Sequence, residues 1–200
     1  KKLKKLICND NPNINNVSHL SKTLEILSCN GRNKISQSCI ANLKKLKALI
    51  CIKNVNIKDV NHLAETVEVI WCGGSGIDQK GIQLLKNIKK LYCDYNDKIT
   101  SIIHLCDTIE ELDCSANNNI NQNDLNSLKK IKILKCNDCE HITNLNNLYN
   151  TLEILHCIRA RSIKTDGISK LTKLKDLRCI SCDKINSVNH LSEKIGRAHV

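Results

Sequence analysis

Phenylalanine and methionine are absent from this sequence, and one tryptophan with three tyrosines leaves aromatics at 2% of its 200 residues. A core without large rings must be filled by Leu, Ile, Val and Cys, side chains of similar volume, so it has to be thin and regular. No apolar run long enough for a membrane-spanning helix is present. The glycine cluster Gly73-Gly74-Ser75-Gly76 lacks the G-x-x-x-x-G-K-S/T spacing of a phosphate loop. Its place is in a shortened segment, where glycine permits a tighter bend.

What the chain has instead is a cysteine that returns every 21 or 22 residues, at positions 8, 29, 51, 72, 93, 114, 136, 157 and 179. Each closes the same frame: aliphatic, two variable residues, aliphatic, one variable, Cys, as in Leu3-Lys-Lys-Leu6-Ile-Cys8 and Leu152-Glu-Ile-Leu155-His-Cys157. A fixed period of this length marks a solenoid, in which each coil buries its apolar face only against its neighbours. Nine copies fill residues 1–194 as one array. The remaining six, Ile195-Gly-Arg-Ala-His-Val200, resemble a translated sequencing-library adapter and are set apart from the fold. Neither end of the array carries a recognisable polar cap, so an uncapped fragment of a longer protein is expected.

The copies alternate in kind. Odd repeats return through short segments such as Ile57-Lys-Asp-Val60-Asn-His-Leu63, with room for a 3₁₀ turn or an extended return. Even repeats insert more, as in Ile163-Lys-Thr-Asp-Gly-Ile168-Ser-Lys-Leu171, whose i, i+3 apolar spacing suits one helical turn.

This frame resembles the leucine-rich repeat, with Cys in place of the third Leu, over about 95% of the chain. The Lys-, Asn- and Ile-rich wording is similar to leucine-rich-repeat proteins of AT-rich genomes, including amoeba-infecting giant viruses. The resemblance implies an α/β solenoid with a parallel β-sheet on the concave face and short 3₁₀ or helical turns on the convex face. It also implies a non-catalytic module that binds a protein partner. The alternative it offers is the substrate-recognition arm of an F-box-type ubiquitin ligase, although no F-box residues are present. The family's asparagine, three residues after the repeat Cys, is kept at Asn11, Asn54, Asn96 and Asn117, becomes Cys139 and Cys182, and is lost at Arg32, Ser75 and Ala160.

Thirteen cysteines invite a disulfide framework, but nine belong to the frame. Equivalent residues on neighbouring parallel strands lie ~4.8 Å apart with Cβ vectors side by side, an orientation unsuited to bridging. Reduced, buried thiols and a cytoplasmic location are therefore expected. The two C-x-x-C motifs, Cys136/Cys139 and Cys179/Cys182, stand two repeats apart, too far for four sulfurs to share one zinc ion. The series His19, His62, His104 and His190 is separated in the same way and is assigned to hydrogen bonding with return-loop backbone. No metal and no cofactor are implied. Every candidate catalytic group belongs to a ladder, so no enzymatic constellation is left.

Two further ladders bear on function. The first variable strand position alternates without a break: Lys4, Glu25, Lys47, Glu68, Lys89, Glu110, Lys132, Glu153, Lys175. Lateral neighbours of opposite charge select register, because slipping by one repeat sets like charges together. The position before each Cys reads Ile7, Ser28, Ile50, Trp71, Tyr92, Asp113, Lys135, His156, Arg178 and faces away from the core. The expected partner surface is an apolar patch of Ile50, Ile52, Val69, Trp71, Tyr92 and Tyr95, followed by a basic strip with Lys135, His156 and Arg178. The net charge of +11 invites nucleic acid, yet the five variable strand positions sum to only about +1. The excess lies on the returns, where it serves solubility, so a monomeric, protein-binding molecule with no nucleic-acid or membrane partner is expected.

Overall fold

The computed structural model describes residues 2–191 and the backbone of 197–199. Two compact units divide the chain, Lys1–Ile99 and Thr100–Val200. In the first, strands β1 (Lys5–Ile7), β2 (Ile26–Ser28), β3 (Ala48–Ile50), β4 (Val69–Trp71) and β5 (Lys90–Tyr92) run parallel in chain order. In the second, β6 (Glu111–Asp113), β7 (Ile133–Lys135), β8 (Ile154–His156) and β9 (Asp176–Arg178) do the same. Of the tail read as adapter-derived, residues 195, 196 and 200 lie outside the described residues. Arg197–His199 forms β10, parallel to β9.

Side chains alternate across a strand, so the frame's second aliphatic residue, at each strand centre, and its Cys, two residues on, face the same way. Leu6, Leu27, Leu49, Ile70 and Leu91 align across the first unit, and Leu112, Leu134, Leu155 and Leu177 across the second. All nine ladder cysteines are buried, as the frame requires. Thiols in this layer act as small apolar groups, and burial drives those of Cys51 and Cys136 well above the usual range and that of Cys72 up to about 12.

The returns alternate as the spacing implies. Odd repeats carry 3₁₀ turns at Ser18–Leu20, Asn61–Leu63, Ile103–Leu105, Asn146–Leu148 and Asn189–Leu191. Even repeats carry the helical turns α1 (Gln37–Ile40), α2 (Gln79–Ile82) and α3 (Gln122–Ser127). Asp78 caps α2 by accepting from Gly81 N, and Asn121 with Asp124 forms a capping box on α3. The last even return, Thr165–Ile168, departs from the helical expectation and is 3₁₀; Lys164 at its N-cap has no acceptor to offer. Gly81 stands where a Cβ would come within 2.1 Å of Lys58 O, so two returns touch backbone to backbone there. In the shortened fourth repeat the tight approach is at Gly76, whose Cβ would lie 2.4 Å from Val55 O.

Polar groups couple each coil to the next. Asn54 donates to Cys29 O (3.2 Å) and Asn96 to Cys72 O (3.0 Å), both reaching back into the preceding even repeat. Cys139 and Cys182 make the same reach, their thiols donating to Cys114 O (3.2 Å) and Cys157 O (2.8 Å). Of the three positions that lose the asparagine, Arg32 is followed by the buried Asn33, which donates within its own coil to Cys29 O and Asn30 O. Ser75 accepts from Ile77 N through its hydroxyl, while Ala160, with no polar side chain, closes a backbone turn to Cys157 O. On the returns, Gln37 accepts from Lys58 N and Asp59 N while donating to Asp59 O. Gln122 repeats this clamp on Thr143 and Asn144. Asn61 and Asn146 hold the even returns in turn, donating to Lys80 O and Asp166 O.

Two members of the histidine series, His62 and His190, bond return-loop backbone. His62 Nε2 meets Ile40 O at 3.0 Å and His190 Nε2 meets Ile168 O at 3.2 Å. Where the series is interrupted, Asn147 donates to Asn126 O instead.

Candidate partner-binding surface

In the first unit the position before each Cys forms a lateral row on the outer sheet face: Ile7, Ser28, Ile50, Trp71 and Tyr92. Trp71 and Tyr92 are adjacent in it, ring centroids 4.5 Å apart and planes tilted by 44°. Such a tilted pair lets the ring edge of one meet the electron-rich face of the other. Ile50 flanks Trp71 on β3, and the row two residues earlier adds Ala48 beside Val69. Ile52, just past Cys51, is half-buried. Trp71 keeps 38% of its surface exposed.

Tyr95 is 68% exposed but sits off the strand, at a residue with φ of 54°. That position is left-handed in every repeat: Asp10, Gly31, Lys53, Gly74, Tyr95, Ala116, Asp138, Arg159 and Ser181 all have positive φ. Seven of the nine are not glycine, so the rim they make is invisible to a glycine-based reading. It places Lys53, Gly74 and Tyr95 in consecutive coils along the edge of the apolar row. Sequence reasoning also stopped short of Ile26 and Ile7. Ile26 pairs laterally with Ala48, and Ile7, 59% exposed, begins the row. Both occupy frame positions already singled out, which was the available signal.

The second unit holds Lys135, His156 and Arg178 in one lateral row. The strip expected to be basic is matched by acids. Lys135 Nζ lies 3.6 Å from Asp113, and Asp176 lies 4.0 Å from His156 Nε2 and 3.8 Å from Arg178 Nε. On the rim, Arg159 grips Asp138 with two bonds of 2.6 and 2.7 Å, holding that carboxyl below its ordinary range. Burial, with the Arg178 guanidinium adding to it, lowers the pKa of His156 and favours the neutral imidazole. Its Nε2 and Asp176 Oδ1 are buried without a hydrogen bond. This unit therefore presents a charge-balanced polar face.

The charge ladder is present, with unequal rungs. Glu25 holds Lys4 at 2.8 Å and Lys47 at 3.5 Å; Glu68–Lys89, Glu110–Lys132 and Glu153–Lys175 close at 2.8, 2.8 and 2.6 Å. Among the described residues no group of three or more His, Cys, Asp or Glu is arranged to hold a metal ion. No helix there is long and apolar enough to cross a membrane.

No protein-family model matches the chain, and no curated protein matches it in sequence. Solved structures do match it. The functional domain of InlJ from Listeria monocytogenes, described as including a cysteine ladder, superposes with a TM-score of 0.71 at 22% identity, over 96% of this chain and 47% of that one. Internalin C2 of L. monocytogenes 4b F2365 gives 0.68 at 18% identity, over 92% and 83% of the two chains. An internalin, InlF, of the same strain gives 0.64 at 22%, over 100% and 62%. The chain thus spans about half the length of the InlJ domain. The fold is that of a leucine-rich-repeat solenoid, with a parallel sheet on one face and short 3₁₀ or helical turns on the other.

Proposed function

We propose that the chain is a non-catalytic recognition module that binds a protein partner on the outer sheet face of its first unit. The observation that carries this reading is the Trp71–Tyr92 pair, Trp71 exposed and Tyr92 half-buried, set beside Ile50 and Val69 on short, laterally bonded strands with Ile52 just beyond. Large rings on a rigid support give contact area at little conformational cost, and central aromatics dominate interface energetics. Lys135, His156 and Arg178 supply a second, polar contact face on the other unit. Their pairing with Asp113 and Asp176 suits directional bonds better than long-range attraction of polyanions, which favours protein over nucleic acid. The thirteen free thiols support a reducing, cytoplasmic setting.

The test is affinity capture with the immobilised chain, run beside Trp71→Ala and Tyr92→Ala variants whose melting temperatures are checked first. A partner that meets this surface is expected to lose more than about tenfold in affinity with either variant. Equal affinity for wild type and both folded variants would remove the surface from consideration.

A further inference from the structure

The polar reach between coils has one chemistry in the first unit and another in the second. In the first unit the side chain that approaches the preceding even repeat is an amide. Asn54 Nδ2 lies 3.2 Å from Cys29 O and 3.8 Å from Cys29 Sγ, so the group at this position touches both the carbonyl and the sulfur of the ladder cysteine it covers. The equivalent residue is a cysteine in the second unit, both times. Cys139 Sγ is 3.2 Å from Cys114 O, and Cys182 Sγ is 2.8 Å from Cys157 O. Each therefore brings a second sulfur to the place where the amide meets the ladder thiol.

Side-by-side Cβ vectors keep ladder cysteines from bridging one another, but they do not govern these pairs. Cys157 and Cys179 hold equivalent places on adjacent strands, with Cβ vectors side by side. Cys182 comes from the loop beyond its strand, and its Sγ approaches Cys157 from the adjacent coil, 2.8 Å from the Cys157 carbonyl oxygen. We infer that Cys157/Cys182 and Cys114/Cys139 are dithiol modification sites, each closing to a disulfide between consecutive coils by exchange with a low-molecular-weight disulfide such as oxidised glutathione.

The step balances. The Cys182 thiolate attacks one sulfur of the small disulfide, forming a mixed disulfide and expelling the other half as a thiolate. Cys157 then loses its proton and attacks the Cys182 sulfur, expelling the second half. The protein dithiol gives up two electrons and two protons, and the reagent leaves as two thiols. Cys182 is the attacking member because it is the less buried of the two, 5% exposed against 0%, and its thiol pKa is lowered, first by the Cys157 thiol and then by the Ala160 and Arg159 N–H groups. The same neighbour raises Cys157, which makes the second attack the slower. Cys139 is lowered in the same direction, by Cys114.

The experiment incubates the reduced full-length chain with oxidised glutathione, blocks the remaining thiols by alkylation, and maps cross-linked peptides by mass spectrometry. Intramolecular links Cys157–Cys182 and Cys114–Cys139 are expected, with a melting temperature raised by several degrees as the linked loops are closed. In Cys182→Asn and Cys139→Asn, which install the amide used at Asn54 and Asn96, the corresponding link is expected to vanish and its ladder cysteine to be alkylated. Links between successive ladder cysteines, links only between molecules, or glutathione adducts that never resolve would each overturn the assignment.

Discussion

His62 shows how much one residue in a repeat can be asked to do. Its imidazole bonds Ile40 O while its partial burial favours the neutral form and lowers its pKa. In the unfolded chain it titrates near the ordinary value of about 6.5. As pH falls through that value the unfolded state takes up a proton that the folded state resists, so stability declines on the acid side and rises with pH through the window. The molecule already contains a replacement, because Asn147 makes the same inter-coil bond without a titratable group. A His62→Asn variant is thus expected to lose less melting temperature between pH 7 and pH 5 than the wild type, as read by circular dichroism; an equal loss would place the acid sensitivity elsewhere. The cysteine rhythm was legible from the sequence because burial is enforced at every copy. The amide clamps of Gln37 and Gln122 were not, since among many exposed polar residues nothing in their own identity shows which bond backbone.

At the scale of elements, strands of only three residues have little register information of their own. The lateral charges add some. Glu68 and Lys89 close at 2.8 Å, yet both side chains are about half exposed, so solvent screening limits the pair to roughly 0.5 kcal/mol. Glu68→Lys is expected to lower the melting temperature, and adding Lys89→Glu to restore part of it. A double-mutant cycle with no coupling would show the alternation to be a solvated edge. Strand positions, the helical character of three of the four even returns and the aromatic pair were readable from the frame, because two apolar spacings determine which side chains enter the core. The rim was not: Asp10, Lys53 and Tyr95 adopt left-handed backbone that the stacking of coils imposes and no residue preference announces. Nor could net charge show that Asp113 and Asp176 balance the second unit's cations, because that depends on lateral distance.

Across the whole chain, the reach of Asn54, Asn96, Cys139 and Cys182 always runs from an odd repeat to the even repeat before it. Odd and even returns also differ in length and turn type, so consecutive repeats are not interchangeable. Excising residues 30–72, which joins Cys29 to Gly73 and preserves the order of types, is expected to leave a cooperatively melting protein. Removing only 30–51, a smaller loss, sets two odd returns side by side and is expected to melt at lower temperature and more broadly. The reverse ranking in calorimetry would reject the distinction. If it holds, a gene for such a chain can lengthen or shorten by recombination only in strides of about 43 codons. Single-coil duplications would then be purged as misfolded products, and homologous arrays would differ in size by even numbers of turns.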